Sequence, residues 1–152
     1  MIKFSLTKQV RKLYQPKRAD FKKWLTLSLI KHYKIVYIDV IIVSNKISQE
    51  LNSKYRNKNY PTNVISLEYE QTRKDFDILN GELILCDDII VEEATQQNIS
   101  ILEHYAHMVV HGVLHLQGLD HIDEQDAEKM EDLETIIMQK LGFSDPYRRK
   151  KL

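Results

Sequence analysis

Three histidines, His111, His115 and His121, stand at H-x3-H-x5-H spacing, with Gly118 between the second and third. Four residues make about one helical turn, so the imidazoles of His111 and His115 project from one helix face, one above the other. Gly118 can take the left-handed conformation that ends a helix, which lets the chain fold back and carry His121 to the same point. Three neutral imidazoles meeting at one point make a Zn²⁺ site with an open fourth position for water, the layout of a catalytic zinc centre. One ion per chain is expected. His104 and His107 lie upstream on nearly the same face, but Val109 and Val110 offer no chain reversal there. His107 therefore reads as pocket lining or as second-layer support for a ligand, and His104 as structural.

The same histidine spacing occurs in the metzincin proteases, H-E-x-x-H-x-x-G-x-x-H. Position 112 here is glycine, where those enzymes carry a glutamate general base. Without a carboxylate beside the first ligand the usual proteolytic mechanism lacks its proton acceptor, which disfavours a peptidase. Bound zinc would still lower the pKa of water and stabilise an oxyanion, so a substrate bearing phosphate suits such a site.

The 152 residues are enough for one domain, read as 1–152, and 43% hydrophobic with 29% charged residues is ordinary globular usage. A single cysteine, Cys86, excludes an intramolecular disulfide and suits a reducing compartment. No apolar run has the length of a signal peptide or a membrane span, so a cytoplasmic protein with no membrane partner is expected. Net charge is zero but unevenly spread: residues 1–60 hold 14 Lys/Arg against 3 Asp/Glu, and residues 61–152 hold 8 against 19. The basic half either supplies phosphate contacts or neutralises the acidic half across the folded surface. From about residue 147 the chain reads as a basic, disordered tail, Arg148-Arg149-Lys150-Lys151.

The elements that must position the histidines can be read from periodicity and punctuation. Residues 2–6 alternate as a strand, and residues 18–33 carry a helical apolar pattern. Residues 35–43 are β-branched and nearly all apolar, as in a central strand covered on both faces. Ser44 caps a helix over 46–55, residues 64–67 form a strand, and 68–80 form a loop or hairpin. Residues 81–86 form another strand, and Asp87 or Asp88 caps a helix through about 98. Ser100 caps the long helix 101–117, with Glu103 at its third position. A last helix covers about 123–141 and stops at Gly142. The interleaving implies an α/β (α+β) fold, a small mixed four-stranded sheet packed with about five helices.

Several ordered blocks resemble one family. His111-Gly112-Val113-Leu114-His115-Leu116-Gln117-Gly118-Leu119-Asp120-His121 is similar to the H-G-x-L-H-L-x-G-x-D-H signature of the YbeY endoribonucleases and ribosomal RNA maturation factors. Leu51-Asn52 through Tyr55-Arg56, then Pro61-Thr62-Asn63-Val64-Ile65-Ser66, resembles that family's L-N-x-x-Y-R-x-K-x-x-P-T-[DN]-V-L-S-F block. Gly81-Glu82-Leu83-Ile84-Leu85-Cys86 is similar to its G-D-I-x-I-[CS] strand, and Met130-Glu131-Asp132-Leu133-Glu134 to its M-E-x-L-E helix. The resemblance spans roughly residues 45–141. Ile65, Leu67 and Glu82 depart from the usual leucine, phenylalanine and aspartate, and the first 40 residues carry no matching motif.

The resemblance implies a zinc-dependent, single-strand-specific endoribonuclease that acts in three-prime-end maturation of small-subunit ribosomal RNA and in ribosome quality control. Its partner is then RNA, ribosomal RNA or the small ribosomal subunit, and no DNA partner is expected. By position, His111, His115 and His121 correspond to the zinc ligands and Arg56 to the catalytically implicated arginine. Guanidinium chemistry agrees, since a rigid, permanently charged fork suits a scissile phosphate and the charge that builds on it. Catalysis is thus assigned to Arg56, His111 and His115, and substrate binding to Arg56, Thr62, Asn63 and Ser66. Asp120 adjoins a ligand and reads as orienting an imidazole N–H. Tyr55, Tyr60 and Tyr69 are candidate stacking platforms for bases. A 2′-hydroxyl nucleophile and a water-derived one are both open, and only the first leaves a cyclic phosphate. Two rival functions use the same residues: a noncatalytic zinc-containing ribosome-assembly factor, and another metallohydrolase.

Overall fold

The computed structural model describes residues 1–69, 77–119 and 123–147. Asp120, His121 and the basic run Arg148–Lys151 lie outside them. Four strands, β1 (Ile2–Lys8), β2 (Ile35–Val43), β3 (Val64–Glu68) and β4 (Ile78–Cys86), form one sheet in the order β1-β2-β4-β3. β1 and β2 run parallel, as do β2 and β4, while β3 pairs antiparallel with β4. Five helices accompany it among the described residues: α1 (Arg18–Leu27), α2 (Asn45–Arg56), α3 (Asp87–Gln97), α4 (Ile101–Leu116) and α5 (Glu124–Lys140).

Alternation along the strands sends one set of side chains to each face. Val36, Ile38, Val40 and Ile42 of β2 and Leu79, Leu83 and Leu85 of β4 join Phe21, Trp24 and Leu25 of α1 and Tyr105, Val109, Val113 and Leu114 of α4 in one buried core. The other face carries a smaller cluster, Val43, Ile65 and Ile84, packed under Ile47 and Leu51 of α2. α2 reaches only that end of the face. β2 is therefore not covered on both sides: Tyr37 is 39% exposed, and Asp39 lies in an open polar row. In that row Ser5 Oγ donates to Asp39 Oδ1 at 2.6 Å, and the Tyr69 hydroxyl lies 2.9 Å from Asp39 Oδ2 and 3.1 Å from Glu82 Oε2. Glu82 thus sits on the open sheet face.

Three boundaries differ from the sequence expectations, each for a hydrogen-bonding reason. α1 ends at Leu27 because Gln117 takes over the backbone beyond it: Ile30 N donates to Gln117 Oε1 at 2.9 Å, and Gln117 Nε2 donates to Ser28 O at 2.8 Å. β4 begins at Ile78, and Tyr69 N extends its ladder to Asn80 O at 3.0 Å. α3 is capped by neither aspartate, since its N-cap is Cys86. Asp87 instead turns inward to accept from the Tyr14 and Tyr105 hydroxyls and from Gln15 Nε2 at 3.0 Å. Asp88 reaches across to the start of α2, accepting from Asn45 N at 3.2 Å. Ser44 and Ser100 do cap α2 and α4, accepting from Ile47 N and Glu103 N.

Candidate functional site

α4 is buried nearly all round, with eleven of its sixteen residues in the interior, as expected of a helix enclosed by sheet and other helices. The approach to the sheet depends on Gly112. A Cβ there would stand 2.7 Å from Leu83 Cδ2, 3.1 Å from Ser66 Oγ and 3.3 Å from Val64 Cγ2. Ser66 Oγ closes the contact by donating to Gly112 O at 3.1 Å. Position 112 therefore faces the sheet, which is why the peptidase glutamate has no place in this packing. After Gln117, Gly118 takes φ 97°, Gly118 N donates to His115 O, and Leu119 N donates to Leu114 O. These two bonds terminate the helix as a Schellman motif.

The opposite face of α4 carries a histidine stripe. Ring centroids are 6.0 Å apart for His104 and His107, 6.5 Å for His107 and His111, and 4.6 Å for His111 and His115. His111 Nε2 and His115 Nε2 are 3.1 Å apart. Two nitrogens each about 2.05 Å from a tetrahedral zinc ion stand about 3.3 Å apart, so this pair fits a zinc chelate. Among the described residues no group of three or more His, Cys, Asp or Glu side chains is arranged to hold a metal, and His121 lies outside them.

Beneath the pair lies Glu134 of α5, fully buried. Its Oε1 is 2.6 Å from His111 Nδ1 and its Oε2 accepts from the Tyr147 hydroxyl. His107 Nε2 approaches Oε1 at 3.2 Å, outside hydrogen-bond geometry. Burial alone would raise the Glu134 carboxyl, but the His107 and His111 imidazoles outweigh it and hold the group well below the usual carboxylate range. Burial first, and Glu134 second, push the Tyr147 hydroxyl well up.

Beside this lies a cleft of about 250 Å³, lined in part by Asn63, Glu93, His104, His107, His111 and Tyr147. Asn63 Nδ2 donates to Glu93 Oε1 at 3.0 Å, and His104 Nε2 contacts the same oxygen at 2.9 Å. Burial raises Glu93, and these two partners more than reverse it, so its carboxyl also lies below its ordinary value.

The remaining described candidates lie at the end of α2, in the loop after it and in β3. Asn63 lies in the cleft, and its Oδ1 accepts from Val64 N at 2.7 Å. Thr62 is anchored by backbone alone, its N and O both bonded to Ser48 Oγ at 2.9 Å. Asn52 Nδ2 fastens the loop again at Tyr60 O, 2.8 Å away. Arg56 closes the last turn of α2, exposed and without an ion-pair partner among the described residues. Neither Arg56 nor Thr62 contacts the histidine pair. Tyr55 and Tyr60 are both about half exposed, and Lys54 Nζ lies 5.1 Å from the centre of the Tyr55 ring.

Sequence reasoning gave no role to Glu134, Tyr147 or Glu93. One signal was present: Glu134 falls among Met130, Ile137 and Met138 at helical spacing, and a lone carboxylate on the apolar stripe of a helix needs a partner. Tyr147 had no such signal, because its role depends on a turn after α5.

No helix among the described residues is long and apolar enough to cross a membrane. The fold is similar to the solution structure of TM1509 from Thermotoga maritima, with a TM-score of 0.52 and 24% identity over 96% of this chain and 98% of that one. That likeness concerns the fold alone. The family model for "Endoribonuclease YbeY" matches residues 5–142, a span that holds the sheet except the start of β1, the five described helices and the histidine stripe. With nearly the whole chain matched, this protein belongs to the endoribonuclease YbeY family.

Proposed function

We propose that this chain is a zinc-dependent endoribonuclease that cuts single-stranded RNA, acting in three-prime-end maturation of small-subunit ribosomal RNA and in ribosome quality control. The observation that carries the proposal is the His111–His115 pair, two imidazole nitrogens 3.1 Å apart at the edge of a cleft. His121, three residues after Gly118 in the sequence, is the third ligand in this reading. These residues would hold the zinc ion, which would supply Lewis-acid charge for phosphodiester chemistry. Arg56 binds the scissile phosphate through its guanidinium fork and offsets the charge that develops on it.

Asn63, Thr62 and Ser66 belong to substrate binding in this reading. Ser66 acts through Gly112 O, keeping β3 against α4, and Asn63 acts through Glu93. Glu93 and Glu131 line the cleft, and carboxylates repel phosphate. The cleft therefore suits the base or ribose of an unstacked nucleotide, which favours a single strand over a duplex. Asp120 is assigned to orienting an imidazole, and the compartment is the cytoplasm.

The test uses purified protein of defined metal content with single-stranded RNA, duplex RNA and peptides. Metal-dependent cleavage of the single strand, lost in both His115→Ala and Arg56→Ala while folding persists, is the expected result. Losing a charge-stabilising group such as Arg56 should lower kcat/KM by roughly 10²–10³-fold. RNA binding without turnover, or cleavage indifferent to both substitutions, refutes the proposal.

A further inference from the structure

We propose that Glu134 is the positioning residue of the metal pair, locking His111 as the tautomer that presents Nε2, and that Tyr147 in turn locks Glu134. The inference rests on reading His111 and His115 as ligands. A neutral imidazole carries one proton, on either Nδ1 or Nε2. Glu134 Oε1 lies 2.6 Å from Nδ1, and an ionised carboxylate only accepts, so the proton sits on Nδ1. The lone pair is then on Nε2, the atom that stands 3.1 Å from His115 Nε2.

The environment of Glu134 points the same way. The side chain has no exposed surface, and among the described residues its ion-pair contacts are His107 and His111, with no lysine or arginine. A buried carboxylate ringed by imidazoles and a phenol is an electrostatic partner for a cation on the far nitrogen of His111. Its second oxygen is tied to Tyr147, whose own backbone is fixed: Tyr147 N donates to Asp145 Oδ1 at 2.8 Å, and Thr135 Oγ1 donates to the same atom at 3.1 Å. The ring of Tyr147 also packs edge-on to His107, 5.5 Å between centroids. The support runs from the turn after α5, through Glu134, to one imidazole.

A carboxylate that only fastened the C-terminal turn would give the same contacts, so the test must separate charge from shape. Glu134→Gln keeps the size, still offers an oxygen to Nδ1, and places its amide against the Tyr147 hydroxyl, which can accept. It removes the charge and reverses the hydrogen bond to Tyr147, while leaving an acceptor on Nδ1. Metal-stripped full-length wild type, E134Q, Y147F and H115A are titrated with Co²⁺, read by its visible absorption, and with Zn²⁺ in competition with a chelator. Thermal unfolding of the metal-free proteins runs alongside.

The expected result is stoichiometric Co²⁺ binding by wild type, weakened 10–100-fold in E134Q, weakened less in Y147F and abolished in H115A. Metal-free E134Q should melt earlier than wild type at neutral pH, because it lacks the stabilising carboxylate, yet stay folded at the titration temperature. Wild-type affinity in E134Q overturns the proposal and leaves the metal site standing. If E134Q does not fold, Y147F decides: reduced affinity supports the proposal and unchanged affinity overturns it. Failure of the wild type itself to bind Co²⁺ sinks the metal-site reading, and this inference with it.

Discussion

Gly112→Ala asks for one methyl group where α4 meets the sheet. The new Cβ would lie 2.7 Å from Leu83 Cδ2, more than half an ångström inside normal contact, with Ser66 Oγ and Val64 Cγ2 close behind at 3.1 and 3.3 Å. Leu83 is fully buried and cannot swing away, so about 2 kcal/mol, the middle of the usual overpacking range, is the expected penalty. Alanine returns about 1 kcal/mol by its better helix propensity. The net loss is about 1 kcal/mol, and for chains of this length that lowers Tm by roughly 3 °C. Thermal unfolding of metal-free protein measures it. Leu83→Val pulls back the colliding atom, so in that background the alanine should cost about 1 kcal/mol less, a coupling that a double-mutant cycle resolves. A Gly112→Ala protein that melts about 3 °C above wild type would refute the close-packing argument. The same packing bears on Gly112→Glu, which drives a carboxylate into Leu83 and Val64 and should abolish folding rather than create a peptidase.

Other measurements follow from the buried polar groups. Asp87→Asn weakens three hydrogen bonds, from Tyr14, Gln15 and Tyr105, at a residue that is 1% exposed, and should cost about 2–3 kcal/mol in denaturant unfolding. Glu93 and Glu134 have folded-state pKa values depressed below the ordinary 4.5. The stability they contribute is complete above that value and is lost as pH falls below it towards their folded values, so metal-free protein should destabilise on acidification from about pH 4.5 down. E134Q should flatten that acid limb. Arg56→Ala, at an exposed helix end, should shift stability by less than about 0.5 kcal/mol, so any loss of RNA cleavage reports on the site and not the fold.

Where a residue acts through its neighbours in sequence, the chain was legible. Ser44 and Ser100 as caps, Gly118 as a left-handed stop, and Ile35–Val43 as a strand all depend on local dihedrals and alternation, and all stand in the structure. Partners distant in sequence were not legible. Asp87 looks like a cap until Tyr14 and Tyr105 are brought to it, and α1 looks longer until Gln117, 87 residues after Ile30, claims its exit. The site divides the same way. The one-turn spacing of His111 and His115 puts both on one face, whereas Glu134 and Tyr147 meet His111 only once α5 packs back on α4.

That order along the chain matters during synthesis. His111 of α4 leaves the ribosome before the carboxylate that meets it and the phenol that holds that carboxylate, which belong to α5 and the turn after it. A nascent polypeptide still threaded through the exit tunnel at Tyr147 has not yet tied Glu134 to that phenol. A member of an RNA-cutting family is thus made beside ribosomal RNA with Glu134 not yet against His111, and that contact closes only once α5 has packed on α4.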